Sequence, residues 1–185
     1  MYKEIKAVLA SFIFVVVVCG VSFAKDFSAD FVSKADSVSV KGKIFMGNKK
    51  MRMENPQAIT IARMDKKIVW ILMPAQKMYM EQAMNMENTK GVSKKVEGEV
   101  ERVKIGQETI NGIKTDKYKI TYLTKKGKDS MYQWISSDIE MPVKTAAIDG
   151  KWSMELKNIK TGSQPDSLFD MPKGYKKFSY KMPSF

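Results

Sequence analysis

Beyond residue 24, apolar and polar residues alternate with a period of two along most of the chain, the pattern of half-buried β-strands. Phe27, Ala29 and Phe31 alternate with Ser28 and Asp30. "GKIFMGNKKMRME" predicts a hairpin around Gly47-Asn48 with Ile44 opposite Met51, and "AITIARMDKKIVWILMP" predicts two strands around Asp65-Lys66. Ile68 to Met73 is apolar at every position, as in a central strand covered on both faces. Two later turns set register. Asn111-Gly112 suits a type I′ turn, which needs positive φ at both places; folding there pairs Ile105 with Tyr118 and Val103 with Ile120. Asp149-Gly150 pairs Ala147 with Trp152, Thr145 with Met154 and Val143 with Leu156. Both are expected as two-residue loops, because a one-residue slip would turn each apolar row to solvent. Only Glu87 to Glu99, rich in Lys, Glu and Gly, lacks a period and reads as a loop with a short helix.

The start of the chain has a different pattern. A short basic stretch, "MYKEIK", precedes the apolar run "AVLASFIFVVVVCGVSF", and Ser22 and Ala24 stand three and one positions before a polar Lys25. That layout predicts a secretory signal peptide over residues 1–24, cleaved after Ala24, and a periplasmic protein over residues 25–185. The run is shorter than the roughly 20 apolar residues that span a bilayer, which disfavours an uncleaved anchor. Lipidation at Cys19 is the third possibility, with Val18 where a small residue is wanted.

Export changes how composition is read. The single cysteine, Cys19, lies in the leader and histidine is absent. The remainder, treated as one domain, is long enough to bury a core without disulfides. Without Lys3, Lys6 and Glu4, 30 basic and 19 acidic residues leave a net charge of +11. Outside the cytoplasm such a charge favours anionic partners, an anionic membrane surface among them, over nucleic acid. Many of these lysines alternate along strands, as in "KTDKYKI", and read as solvated faces.

Five stretches follow one another in order: "GKIFMGNKKMRME", "IVWILMPAQKMYME", "GQETINGIKTDKYKI", "YQWISSDIEMPVK" and "DSLFDMPKGYKKF". They supply a Trp strand ending in Pro74 with Tyr79 beyond it and the Asn-Gly hairpin. Then come a Trp134 strand running into Asp138 and Pro142-Val143-Lys144, and a closing Leu168-Phe169, Pro172 and Gly174-Tyr175. This order resembles the LolA-like superfamily of lipoprotein carriers and outer-membrane lipoprotein-sorting proteins, closest to a branch of short members. The resemblance implies a curved antiparallel sheet, a half-barrel whose concave apolar face holds acyl chains of a lipid or lipoprotein under a short helical or loop lid. The expected count is roughly eight to eleven strands, the lower end from the hairpins counted above and the upper from the resemblance. The chain departs from the carriers in beginning almost directly in a strand, with Glu87 to Glu99 as its one candidate lid.

Methionine is the remaining chemistry. Met51/Met53, Met78/Met80 and Met84/Met86 are Met-x-Met pairs, and others stand at 46, 64, 73, 131, 141, 154, 171 and 182. Thioethers select Cu(I), but an i, i+2 spacing in a strand also places both side chains on one face. Methionine suits a pliable apolar surface, and the imidazole and thiolate co-ligands are missing beyond the leader. The expectation is therefore a lipid-facing or packed surface with no metal and no cofactor, and copper binding is the alternative. An envelope interaction or sensor protein with a filled interior is another. Nucleophile-base pairs built on His or Cys are unavailable, and Glu97, Glu99 and Glu101 read as a solvated edge, so no enzyme is expected. The candidate lining is Trp70, Leu72, Met78, Met80, Tyr118, Ile120, Trp134, Trp152 and Met154, with Arg52, Arg63 and Lys77 at the rim for an anionic headgroup.

Overall fold

The computed structural model describes residues 25–84, 96, 98–124 and 127–178. The expected leader, most of the Glu87 to Glu99 segment (Glu97 included), Met86 and Met182 lie outside them.

Six strands form a first meander: β1 (Phe27–Ala35), β2 (Val38–Gly47), β3 (Lys50–Glu54), β4 (Ile59–Arg63), β5 (Ile68–Met73) and β6 (Met78–Ala83). Five form a second: β7 (Glu99–Ile110), β8 (Ile113–Thr124), β9 (Gly127–Ser136), β10 (Pro142–Ala147) and β11 (Trp152–Thr161). Pairing of β1 with β11 fuses them into one curved open sheet, in the order β12-β6-β5-β4-β3-β2-β1-β11-β10-β9-β8-β7. The twelfth strand, β12 (Lys176–Lys177), lies parallel to β6 and raises the count one above the expected range. All other neighbours are antiparallel.

Register follows the alternation with three local differences. Asn111 (φ 50°) and Gly112 (φ 79°) form the expected two-residue turn, closed by Ile110 opposite Ile113. A bulge at Ile105 then shifts the ladder, so Tyr118 faces Lys104 and Ile120 faces Arg102, not Ile105 and Val103. The extra residue leaves Ile105 half exposed instead of in an apolar row. In the β2–β3 hairpin the turn is Asn48-Lys49, one residue later than expected, with Met46 opposite Met51 and Ile44 opposite Met53. Gly47 is then the last residue of β2, where a Cβ would stand 3.1 Å from the Phe169 ring. Gly47 thus serves a close approach, not the turn. The β10–β11 register is as expected at Thr145 and Met154, but the connection widens to Ile148–Lys151, where Asp149 Oδ1 accepts the Lys151 N–H at 3.1 Å.

The chain end straps one face. A 3₁₀ turn, Asp166–Phe169, inserts Phe169 (1% exposed) against Ile61, Trp70 and Leu72. Two arginines tie it down. Arg63 bonds Asp65 (2.7 Å), Asp170 (2.8 Å) and the Phe169 carbonyl (3.2 Å), and Arg52 reaches the Leu168 carbonyl (3.1 Å). The Ile68 to Met73 strand is covered on both sides, with Trp70 and Leu72 under this strap and Val69 in the main core.

Candidate functional site

Tracing cross-strand partners assigns every strand residue to one of two faces, because opposite residues project the same way. Met46, Met51, Met53, Met73, Met78, Met80, Met131 and Met154, the eight strand methionines among the described residues, all lie on one face. Met46, Met51, Met53 and Met131 are buried, while Met73, Met78, Met80 and Met154 are partly exposed. The Met-x-Met spacing hinted at this, but two of the contributing pairs, Met46 with Met51 and Met73 with Met78, cross between strands and need the register to be seen. Thr60 lies on the same face between Met53 and Ile71, and its buried hydroxyl has no partner among the described residues. Leaving such a group unpaired costs about 1–3 kcal/mol.

Of the nine candidate lining residues, Met78, Met80, Tyr118, Ile120, Trp152 and Met154 share the methionine face. Tyr118, Tyr122 and Trp152 pack around Ile120, Met131 and Val96. Burial, then nearby Asp129, pushes the Tyr122 phenol up. Arg102 lies over the Tyr118 ring at 5.5 Å, and both Glu99 oxygens accept from it, at 2.8 and 2.9 Å. A bulge between Glu99 and Glu101 turns these two carboxylates to opposite faces.

Trp70, Leu72 and Trp134 lie on the other face. Each of these tryptophans donates its indole N–H to a glutamate, Trp70 to Glu81 on the adjacent β6 (2.9 Å) and Trp134 to Glu108 on β7, two strands away across β8 (2.7 Å). Each glutamate also takes a lysine, Lys177 or Lys117, which holds its carboxyl below the usual range; the indole bond adds to the effect. Trp134 is flanked by Lys117 and Lys144, with ring distances of 4.8 and 4.9 Å. Such satisfied indoles are packing anchors. The rim residues divide similarly. Arg52 and Arg63 hold the strap, and Lys77 is an exposed left-handed residue (φ 53°) closing the 3₁₀ turn Pro74–Gln76.

Two cavities bounded by described residues lie away from the methionines. One, of about 940 Å³, occupies the opposite face across β11, β1 and β2 and is lined by Lys34, Lys41, Lys43 and Lys157 with Val32, Pro56 and Ile59. Sequence alternation left these lysines among the solvated ones. The other, of about 790 Å³, lies beside Arg102, Asp116 and Tyr118. Among the described residues no three His, Cys, Asp or Glu side chains gather as a metal site, and no helix is long and apolar enough to cross a membrane.

The curved open sheet is a fold that this chain shares with solved structures. The sequence matches the family described as Domain of unknown function (DUF4412) over residues 30–141, and the chain belongs to that family. Among curated proteins no sequence matches it. Among solved structures, MucB in complex with MucA(peri) overlaps with a TM-score of 0.56 at 10% identity, covering 84% of this chain and 57% of that one. MucB alone gives 0.53 at 10% identity, covering 84% and 60%. The chain thus spans less than two thirds of MucB, and the likeness is one of fold. Lipoprotein LppX of Mycobacterium tuberculosis overlaps more loosely, with a TM-score of 0.43 at 14% identity over 86% of this chain and 92% of that one.

Proposed function

We propose that the protein is an exported, periplasmic binding protein, processed after Ala24, that holds acyl chains of a lipid or lipoprotein against its methionine face. On this proposal the methionine face is the concave one. The observation that carries it is the segregation of all eight strand methionines among the described residues onto one face. Chance would divide them, and unbranched thioether side chains suit a surface that accepts varied apolar shapes. The unpaired Thr60 hydroxyl would suit an ester carbonyl. The partly exposed Met78, Met80, Tyr118, Trp152 and Met154 are the accessible lining; Trp70, Leu72 and Trp134 serve the opposite face. No catalytic step is assigned, and a role in outer-membrane lipoprotein sorting is the narrower form of the same proposal.

A second reading has its own support. Phe27, Met46 and Met51 are at most 2% exposed, as expected where the interior is filled and the sheet acts as an envelope interaction module. The MucB structure contains MucA(peri), a protein partner.

Titration with a fluorescent fatty acyl probe separates the two. Met80→Asp places a carboxylate on the lining, and an unpaired charge in an apolar site costs several kcal/mol, so binding should be lost. Trp70→Asp, if folded, should leave binding intact. Failure of the wild type to bind the probe would favour the filled interior.

A further inference from the structure

The two ends of the sheet differ. Strand directions bring the β1–β2 turn, the β3–β4 loop, the β10–β11 turn and the β8 terminus to one end. Asp36 N–H donates to the Lys151 carbonyl at 2.9 Å, joining two of these turns. Among the described residues seven large apolar side chains are exposed, and they are unevenly placed. Val38 (55%), Leu123 (53%), Val100 (50%) and Ile148 (44%) stand at this end, whereas Val103 and Ile105 lie further along β7 and Phe178 follows β12.

The lysine-lined cavity extends to the same end, where Lys34, Ser39, Asn55 and Pro56 line it, on the face opposite the methionines. Lys41 lies opposite Val32, and Lys43 and Lys157 flank Asp30 from either side. Among the described residues no carboxylate pairs with Lys34, Lys41 or Lys43. The carboxylates nearby have other partners. Asp30 accepts from Asn158 at 2.7 Å, Glu54 from Arg52 at 2.9 Å and Asp149 from Lys151 at 3.0 Å, and Asp36 faces Lys151. Free lysines beside exposed aliphatic tips match two layers of a bilayer surface, anionic headgroups and the acyl boundary beneath. A soluble anion would use the lysines and leave the tips unexplained.

We propose that this end of the sheet docks on an anionic bilayer surface, with Lys34, Lys41 and Lys43 on the headgroups and Val38 and Ile148 in the interfacial layer. The proposal gives the acyl-binding role its membrane partner and rests on it only for purpose: docking would bring one end of the methionine face to the lipid.

The test is sedimentation of the exported protein with vesicles of phosphatidylcholine alone or with 30% phosphatidylglycerol (about three anionic lipids in ten, ample for a surface potential). Wild type should bind the mixed vesicles and weaken as salt rises. Each surface lysine is worth roughly fivefold, so Lys34→Gln/Lys41→Gln/Lys43→Gln should weaken binding about a hundredfold. Lys49→Gln/Lys66→Gln/Lys114→Gln, at the far end, should change it only a few fold. Val38→Ser/Ile148→Ser should weaken binding at every salt concentration with the salt slope unchanged. Each lysine changed singly covers the case in which the triple variant does not fold. Equal losses in the two lysine triples would reduce the effect to net charge and overturn the proposal. So would absence of vesicle binding, or lysine-dependent binding of polyglutamate without vesicle binding, which would make the occupant an acidic protein. Acyl-probe binding is read separately. Its absence alongside intact vesicle docking removes the ligand role and leaves the docking surface standing.

Discussion

Phe169→Ala tests how the closing strap is held. The ring is 1% exposed and packs against Ile61, Trp70 and Leu72, and removing a buried phenyl costs about 3–5 kcal/mol. At about 2–4 °C per kcal/mol for a chain of this size, Tm should fall by about 6–20 °C. Gly47 sharpens the test. A Cβ there would lie 3.1 Å from Phe169 Cε2 and 3.2 Å from Cζ, so Gly47→Ala in the wild type crowds the ring and should cost about 1 kcal/mol. With the ring gone, the crowding vanishes and the smaller unfolded-state entropy of alanine remains, a gain of about 0.4–1 kcal/mol. The same substitution should therefore destabilise the wild type and stabilise Phe169→Ala, a coupling of about 1.5–2 kcal/mol, within the range for contacting pairs. Denaturant unfolding followed by tryptophan fluorescence is the assay, with Trp70 in the same cluster as reporter. A loss below about 1 kcal/mol for Phe169→Ala, or the same sign for Gly47→Ala in both backgrounds, would refute the packing described.

Two further outcomes follow from turn geometry and titration. Gly112 holds φ 79° with open space around it, so Gly112→Ala should cost about 1–2 kcal/mol through backbone strain alone, measured by thermal unfolding. Asn111→Gly should cost mainly its hydrogen bonds to Glu155 (3.0 Å) and the Leu156 carbonyl (3.0 Å). Asp65, Asp116, Asp166, Glu81 and Glu108 are each held below the ordinary carboxylate range, mainly by hydrogen bonds from Arg63, Lys104, Lys50, Lys177 and Lys117 respectively. Groups lowered on folding bind more protons when unfolded, so stability rises with pH through their range. It should be complete above about pH 5 and lost as pH falls through the ordinary carboxylate range to the lower folded values. With no histidine in the chain, the denaturant midpoint should stay level from about pH 8 to 5. A drop in that interval would contradict the assignment.

Local chemistry fixed much of the strand framework in advance. Alternation located β1, the β4–β5 pair and the β7–β8 and β10–β11 hairpins, because the side-chain period of a strand is a property of the backbone. Asn111-Gly112 announced its turn because few other residues accept positive φ twice in succession. Motif order pointed to a curved antiparallel sheet for the same reason: it records a sequence of local elements. Everything requiring two distant segments was decided by tertiary structure. Gly47 became a contact for Phe169, 122 positions away, and the turn stands one residue further on. Arg52 and Arg63, legible as exposed cations, are used on a strap whose position no local pattern encodes. Alternation also could not say that Trp70 and Trp134 share a face away from Met80 and Tyr118. Which face a residue occupies is fixed within its own strand, but the relation between strands passes through every register in the sheet, and each bulge can reverse it. The methionine face and the lysines beside Val38 and Ile148 emerge only when all those registers are joined.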